Sequence, residues 1–226
     1  MTVLAVSPAG EITTRYSLRV VSDGPDVRAA QRLRYQVFAE ELGATLHSPV
    51  DGLDIDEFDI YCDHLVIVDE ATGEVVGAYR MLPPVRATLA GRRYSEGEFS
   101  LTRLAPLRER LIEAGRACVQ PAHRSGAVLN LMWTGIARYL HLTGHRWLAG
   151  CVSIPLTDGG ASATGVWQSV RVRHLAPPLL RGYLRLGAWV CGPPAHDPDF
   201  AVADLFVLLS LDRVDPRYLR HFLEPS

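Results

Sequence analysis

Six charged residues lie in or beside apolar stretches where charge needs a reason: Arg34, Asp56, Asp59, Arg80, Glu113 and Arg116. A guanidinium buried near a carboxylate forms a charge-assisted pair, and an unpaired one is costly. Two chemistries fit this set. The residues can form a buried ion network that fixes the acidic loop 44–62, or a carboxylate such as Glu113 can take a proton from an attacking amine. Glu113 and Arg116 are three apart between Leu111-Ile112 and Cys118-Val119. On a regular strand they point to opposite faces, and only a bulge brings them together.

A second constellation is the run Arg116 to Val128, which reads as strand, turn and helix start. Small residues opening a helix leave backbone N–H groups aimed at one point, a suitable site for phosphate, and Arg124 could add a charge-assisted contact. The plainer alternative is an ordinary helix start capped by Ser125.

Other chemistry-bearing residues read as structural. His141 and His145 have ligand spacing, but Gly144 ends the helix between them and no third ligand is apparent, so no metal is expected. Cys118 and Cys151 sit in apolar strands and read as small core residues. Residues 176–190 mix Leu, Tyr and Trp with Arg181 and Arg185. That segment fits a membrane-surface helix, a lid over an acyl pocket, or a packed helix weakened by Gly182 and Gly187.

Composition narrows the classes. All 23 basic residues are Arg, which excludes a phosphate-loop Lys and a Lys Schiff base. The net charge of −2 argues against a nucleic-acid partner. Residues 1–75 carry 14 acids and 5 Arg (−9) and residues 76–226 carry 11 acids and 18 Arg (+7). The acidic part suits a cationic amine, the basic part an anionic carrier or a membrane surface. Four isolated Cys, at 62, 118, 151 and 191, suit reduced thiols in the cytoplasm. No apolar run reaches 18 residues, so no spanning helix is expected.

The elements that position these residues follow from periodicity and punctuation. Residues 1–15 read as an arm, and 16–226 as one domain whose last part, 176–226, is an elaboration. Strands are expected at 16–21, 64–68, 75–82, 111–119, 147–152 and 204–211. Helices are expected at 25–42, with Asp23 or Ser22 as cap, at 126–142, near 163–174 and at 216–222, with a short one near 103–110. Pro83-Pro84 reads as a stop. The strand–helix–strand unit 111–152 implies a crossover between parallel neighbours in a mixed α/β fold.

Taken as a series, Arg34-Tyr35-Gln36-Val37-Phe38, Asp56-Glu57-Phe58-Asp59, Val76-Gly77-Ala78-Tyr79-Arg80-Met81-Leu82 and Glu113-Ala114-Gly115-Arg116 resemble the acyl-homoserine-lactone synthases. With Glu113–Val119, Pro121, Arg124 and the helix from Gly126, the chain is still more similar to the ornithine lipid-type N-acyltransferases of the GNAT superfamily. The resemblance spans residues 16–175. It implies an α+β GNAT fold, a mixed and mostly antiparallel sheet splayed between strands 111–119 and 146–152. It also implies transfer of a long acyl group from an acyl-carrier-protein or acyl-CoA thioester to the amine of an amino acid.

On that basis Glu113 is the expected base, Arg80 and Arg116, with Arg34, orient the acidic cluster or a substrate carboxylate, and Asp56 and Asp59 shape the amine pocket. Cys118 and Val119 border the donor, with backbone N–H groups near Val119 for the oxyanion. Arg124, Ser125, Gly126, Ala127 and Val128 take its phosphate. The single Gly of 124–128 suits the one phosphate of a carrier protein better than a diphosphate. The alternatives are an acetyl-CoA-dependent short-chain acetyltransferase and a non-catalytic acyl-carrier- or lipid-binding protein on the same fold.

Overall fold

Apolar alternation in a strand sends neighbouring residues to opposite faces, and Leu65-Val66-Ile67-Val68 does so between two helical layers. The computed structural model describes residues 15–168 and 178–223. In chain order these hold β1 (Tyr16–Val21), α1 (Pro25–Tyr35), β2 (Asp63–Asp69), β3 (Glu74–Leu82), α2 (Pro84–Leu89) and β4 (Leu111–Val119). There follow α3 (Gly126–Leu142), β5 (Trp147–Pro155), α4 (Ala161–Gln168), α5 (Pro178–Arg185), β6 (Trp189–Val190), β7 (Ala195–Asp197), β8 (Val202–Ser210) and α6 (Pro216–Leu223). The expected arm 1–15, except Arg15, and the 169–174 end of the expected helix near 163–174 lie outside the described residues.

Several expectations need correction. The residue before α1 is Gly24 at φ 86°, with Pro25 in the first turn, and neither Ser22 nor Asp23 caps it. The helical run to Leu42 is not uniform: from Gln36 to Glu41 it widens into a π-helix, and Gly43 at φ 75° ends it. Pro83-Pro84 does stop β3 at Leu82, but Pro84 also starts α2, because a Pro at the first helical position forgoes an N–H that has no partner there anyway. The short strands β6 and β7 carry too few residues to show a period.

The sheet order is β1-β2-β3-β4-β5-β8-β6, with β7 also on β8. All pairings are antiparallel except β4 with β5, the crossover joined by α3. That parallel pairing covers only Leu111↔Trp147, Ile112↔Leu148 and Glu113↔Ala149. Both strands continue for six more residues without pairing to each other, so the sheet opens there. The opening begins at Gly150, where a Cβ would lie 2.2 Å from the Ala114 carbonyl oxygen. The expected splay between the strands at 111–119 and 146–152 is therefore present.

Layers follow from the alternation. Leu65, Ile67, Ile112, Leu148 and Val152 pack under Met132, Trp133, Ile136 and Leu140 of α3. Val66, Val68, Ala78 and Cys118 pack under Ala30, Leu33 and Val37 on the other face. Farther along that second face, Leu111, Ala149 and Phe206 are covered by Leu101 and Phe99. Of the segment 176–190, read as a membrane-surface helix, a lid or a packed helix, residues 176–177 lie outside the described residues and 178–185 form α5, whose apolar face packs against the core. Leu180 and Tyr183 are fully buried, and Tyr183 sets its hydroxyl 2.7 Å from that of Tyr79. Gly182 lets α5 approach α3, since a Cβ there would meet the Trp133 ring at 2.7 Å. No helix among the described residues is long and apolar enough to cross a membrane.

Candidate active site

Arg34 from α1, Arg80 from β3 and Arg116 from β4 converge beneath the loop that carries Asp54, Asp56 and Asp59. Arg34, 1% exposed, donates to both Asp59 oxygens at 2.9 and 2.7 Å and pairs through Nε with Asp54 at 3.0 Å. It also donates to the Asp54 carbonyl. Arg80 bridges Asp56 at 2.5 Å and Asp59 at 3.1 Å. Arg116 reaches Asp54 at 3.2 Å and Asp56 at 3.5 Å. Three guanidinium groups thus face three carboxylates. Burial would push Asp59 up, but the Arg34 hydrogen bonds and the Arg34 and Arg80 charges outweigh it and hold the carboxyl well below its ordinary range. Burial is likewise overcome at Asp56 by Arg80 and Arg116. His64, 4.0 Å from Asp59, is held down to about 4 by burial and is neutral at pH 7.

Glu113 and Arg116 do share a face, by means of the bulge their spacing requires. Arg80 pairs with Gly115 and Ala78 with Cys118, so β4 has one residue more than β3 across this interval. Arg116 takes the left-handed conformation at φ 56°. Its guanidinium donates to the Tyr94 hydroxyl at 3.2 Å and stacks over Phe200 at 4.7 Å.

The expected role of Glu113 changes with this geometry. Its carboxylate accepts from the Tyr94 and Ser95 N–H groups at 2.9 and 2.8 Å and from Ser95 Oγ at 2.5 Å. With three donors from one turn it anchors the 3-10 segment Tyr94–Gly97 and is not a free acceptor facing substrate. Asp56 and Asp59 are bound to arginines, as the buried-network reading expected, and do not shape a pocket for an amine. The recess beside them, lined by Phe58, Cys62, Arg80, Tyr94, Glu113 and Arg116, measures about 20 Å³. That is room for about one water molecule, not for an amino acid.

On the other side of the opened strands, β4 leads through Pro121–His123 into α3. The Ser125 side chain makes no capping bond, so the first-turn N–H groups of Gly126, Ala127 and Val128 have no partner within the helix. Arg124 departs from expectation: it is paired bidentately with Glu41 of the π-helix at 2.6 and 2.6 Å and donates to the Val119 carbonyl at 3.1 Å. Cys118 also departs. Its thiol is packed under α1, where burial raises it to about 12, so it does not border the opening. Beside the first turn of α3 runs a groove of about 580 Å³ between α3, α5 and α6, lined by Leu129, Trp133, Arg181, Arg185 and His221 among others. His141 is exposed and His145 half-buried, and His145 Nδ1 faces the Thr143 carbonyl at 2.8 Å.

Sequence reasoning missed Asp54 and Tyr94, which complete the arginine cluster. It also missed Glu98, Asp197 and Asp204, which meet near Cys151 where β4 and β5 part. One signal was available: Val202-Ala203-Asp204-Leu205-Phe206 places a carboxylate inside an apolar strand.

A family profile described as an acetyltransferase (GNAT) domain matches residues 33–134. An L-ornithine N(alpha)-acyltransferase of Rhodobacter capsulatus is 33% identical over 90% of this chain and 93% of its own length. One of the same description from Brucella abortus is 30% identical over 91% and 88%. Among solved structures, FeeM, an N-acyl amino acid synthase from uncultured soil microbes, superposes with a TM-score of 0.61 at 15% identity, covering 92% of this chain and 95% of its own. TofI, in a ternary complex with an inhibitor and MTA, gives 0.57 at 20% identity, covering 92% and 97%. These superpositions establish the fold.

Proposed function

Given that the chain belongs to the L-ornithine N(alpha)-acyltransferase family of GNAT-fold N-acyltransferases, we propose that it moves a long acyl group from a carrier-protein or CoA thioester to the α-amine of ornithine. The observation that carries this reading is the β4–β5 opening, which lies between a first helical turn with unpartnered N–H groups and an acidic face on the opposite side. The donor's phosphate would sit on the N–H groups of Gly126, Ala127 and Val128, with Arg124 reaching it only by leaving Glu41. The groove along α3, α5 and α6, with Arg181 and Arg185 on its rim, suits an acidic carrier protein.

The free amine attacks the thioester carbonyl. A C–N bond forms, the tetrahedral oxyanion collapses, the C–S bond breaks, and the proton lost by nitrogen ends on the leaving thiolate. Backbone N–H groups freed by the strand opening are the donors for the oxyanion. In this scheme Glu113, Arg80, Arg34, Asp56 and Asp59 are positioning residues: they hold Arg116 and Tyr94 at the edge of the opening.

The test is thiol release from palmitoyl-carrier protein, palmitoyl-CoA and acetyl-CoA across an amino-acid panel, with product mass. The expected result is ornithine-dependent release from a long-chain donor and a palmitoyl-ornithine amide. Release from acetyl-CoA alone would replace this reading with a short-chain acetyltransferase. Donor binding without turnover would leave a lipid-binding protein.

A further inference from the structure

Among the described residues, one group of buried carboxylates has no ion-paired cation. Asp204 of β8 sits opposite Ser153 of β5 and is 3% exposed. The Ser153 hydroxyl donates to Asp204, and the Asp204 and Glu98 carboxyls hydrogen-bond each other when one is protonated, but Asp204 Oδ1 and Glu98 Oε2 are buried with no other donor. Oxygens of both, with the sulfur of Cys151, lie within 4.8 Å of one another. Asp197, at the end of β7, faces the same point and uses Oδ1 to accept the Asp199 and Phe200 N–H groups. The guanidinium acting on Glu98 and Asp204 through space is that of Arg116, which gives its ion pairs to Asp54 and Asp56 instead.

With both carboxyls ionised such an arrangement is costly unless a cation arrives. Burial and the charges of Asp204 and Asp197 push Glu98 up to about 8, and burial pushes Asp204 up as well. Without a ligand Glu98 therefore holds a proton at pH 7 that an incoming cation can replace.

The location bears on which cation. Cys151 lies two residues past Ala149, the last β5 residue paired to β4, and on the face away from α3. Glu98 also lines a groove of about 770 Å³, walled by Phe99, Leu101, Leu104, Pro193 and Phe206. The Phe99 and Phe206 rings are 5.7 Å apart. An apolar-walled trough of that size with Glu98 on its wall and Asp204 directly behind it matches an alkyl chain that ends in an ammonium group.

We propose that Glu98 and Asp204, with Asp197 adding to the field, form the subsite for the side-chain ammonium of an α,ω-diamino acid acceptor, whose methylenes lie along Phe99 and Phe206. This rests on the N-acyltransferase reading above. It assigns acceptor choice to residues outside the arginine cluster, and it leaves the α-amine at the strand opening as the attacking nitrogen.

The experiment compares ornithine with norvaline, which has the same carbon skeleton without the second amine. Steady-state kcat and KM are measured with a long-chain donor for the wild type, Glu98→Gln and Asp204→Asn. The wild type should prefer ornithine strongly. Each variant should lose about 30-fold or more in kcat/KM for ornithine, mostly through KM, and less than about 3-fold for norvaline. Asp204→Asn should also melt higher by about 2–4 °C, because it removes a buried charge without changing shape. Equal losses for both acceptors would overturn the subsite and make these residues structural or donor-side. An unchanged ornithine preference would overturn it too, as would a wild type that uses both acceptors equally. A wild type that acylates neither acceptor would refute the N-acyltransferase reading itself, and the subsite with it.

Discussion

The two acidic clusters of this chain lie a few side chains apart and obey opposite rules. Asp54, Asp56 and Asp59 are matched one for one by Arg34, Arg80 and Arg116, and the recess beside them holds about 20 Å³. Glu98, Asp197 and Asp204 have no such partners, and Glu98 borders a groove of about 770 Å³. Asp56 and Asp59 of the first set are depressed below ordinary carboxylate values, and Glu98 and Asp204 of the second are raised above them. Compensated charge beside no space holds the fold. Uncompensated charge beside open space awaits a ligand. Arg116 joins the two, paired to one cluster and acting on the other through space.

The most severe way to break the compensated cluster is Asp59→Asn. It leaves Arg34 and Arg80 short of a counter-charge and should cost about 3–5 kcal/mol, much of the stability of a domain this size. Urea unfolding checks it, and a loss below about 1 kcal/mol would contradict the account. Gly150→Ala attacks the junction between the clusters. The new Cβ meets a backbone carbonyl that cannot step aside. The expected cost is about 1–3 kcal/mol, with a loss of thioester turnover larger than the stability change explains. Tyr183→Phe removes the partner of the buried Tyr79 hydroxyl and should cost about 1–3 kcal/mol, and Tyr79→Phe added to it should cost little more. A double-mutant cycle reads that coupling.

The pH dependence sharpens the contrast. Asp56 and Asp59 titrate lower folded than unfolded, so their contribution is present above about pH 4 and is lost as the pH falls through their folded values. Glu98 and Asp204 titrate higher folded, so the folded chain binds extra protons and stability declines as pH rises from about 4.5 towards about 8. Urea midpoints from pH 3 to 9 should peak at mildly acidic pH, and saturating ornithine should flatten the decline on the alkaline side. The smallest effect expected is for Glu41→Gln, below about 1 kcal/mol, because the Arg124 pair is exposed.

The compensated cluster was far more legible in the sequence than the other. Arginines and aspartates in apolar company announce a network, and the Glu113–Arg116 spacing posed the question of a bulge that Arg116 answers with its positive φ. The α3 helix and the parallel β4–β5 pairing were legible because a strand, a turn and a long amphipathic helix constrain each other. The uncompensated cluster was not, because Glu98 lies in a stretch of 3-10 turns with no period, and Asp197 closes a three-residue strand. The identity of an acid says nothing of its partner. Arg124 and Glu113 have the right types for phosphate binding and for a base, yet their hydrogen bonds are already committed to Glu41 and to the 94–95 turn.

The account turns on the sign of one comparison, the melting temperatures of Asp59→Asn and Asp204→Asn measured side by side against the wild type. Both changes remove one buried negative charge at nearly constant shape. Asp59→Asn should melt well below the wild type and Asp204→Asn above it. Shifts of the same sign would show that the two clusters do the same work, and the division between a scaffold and a substrate-binding group would fail.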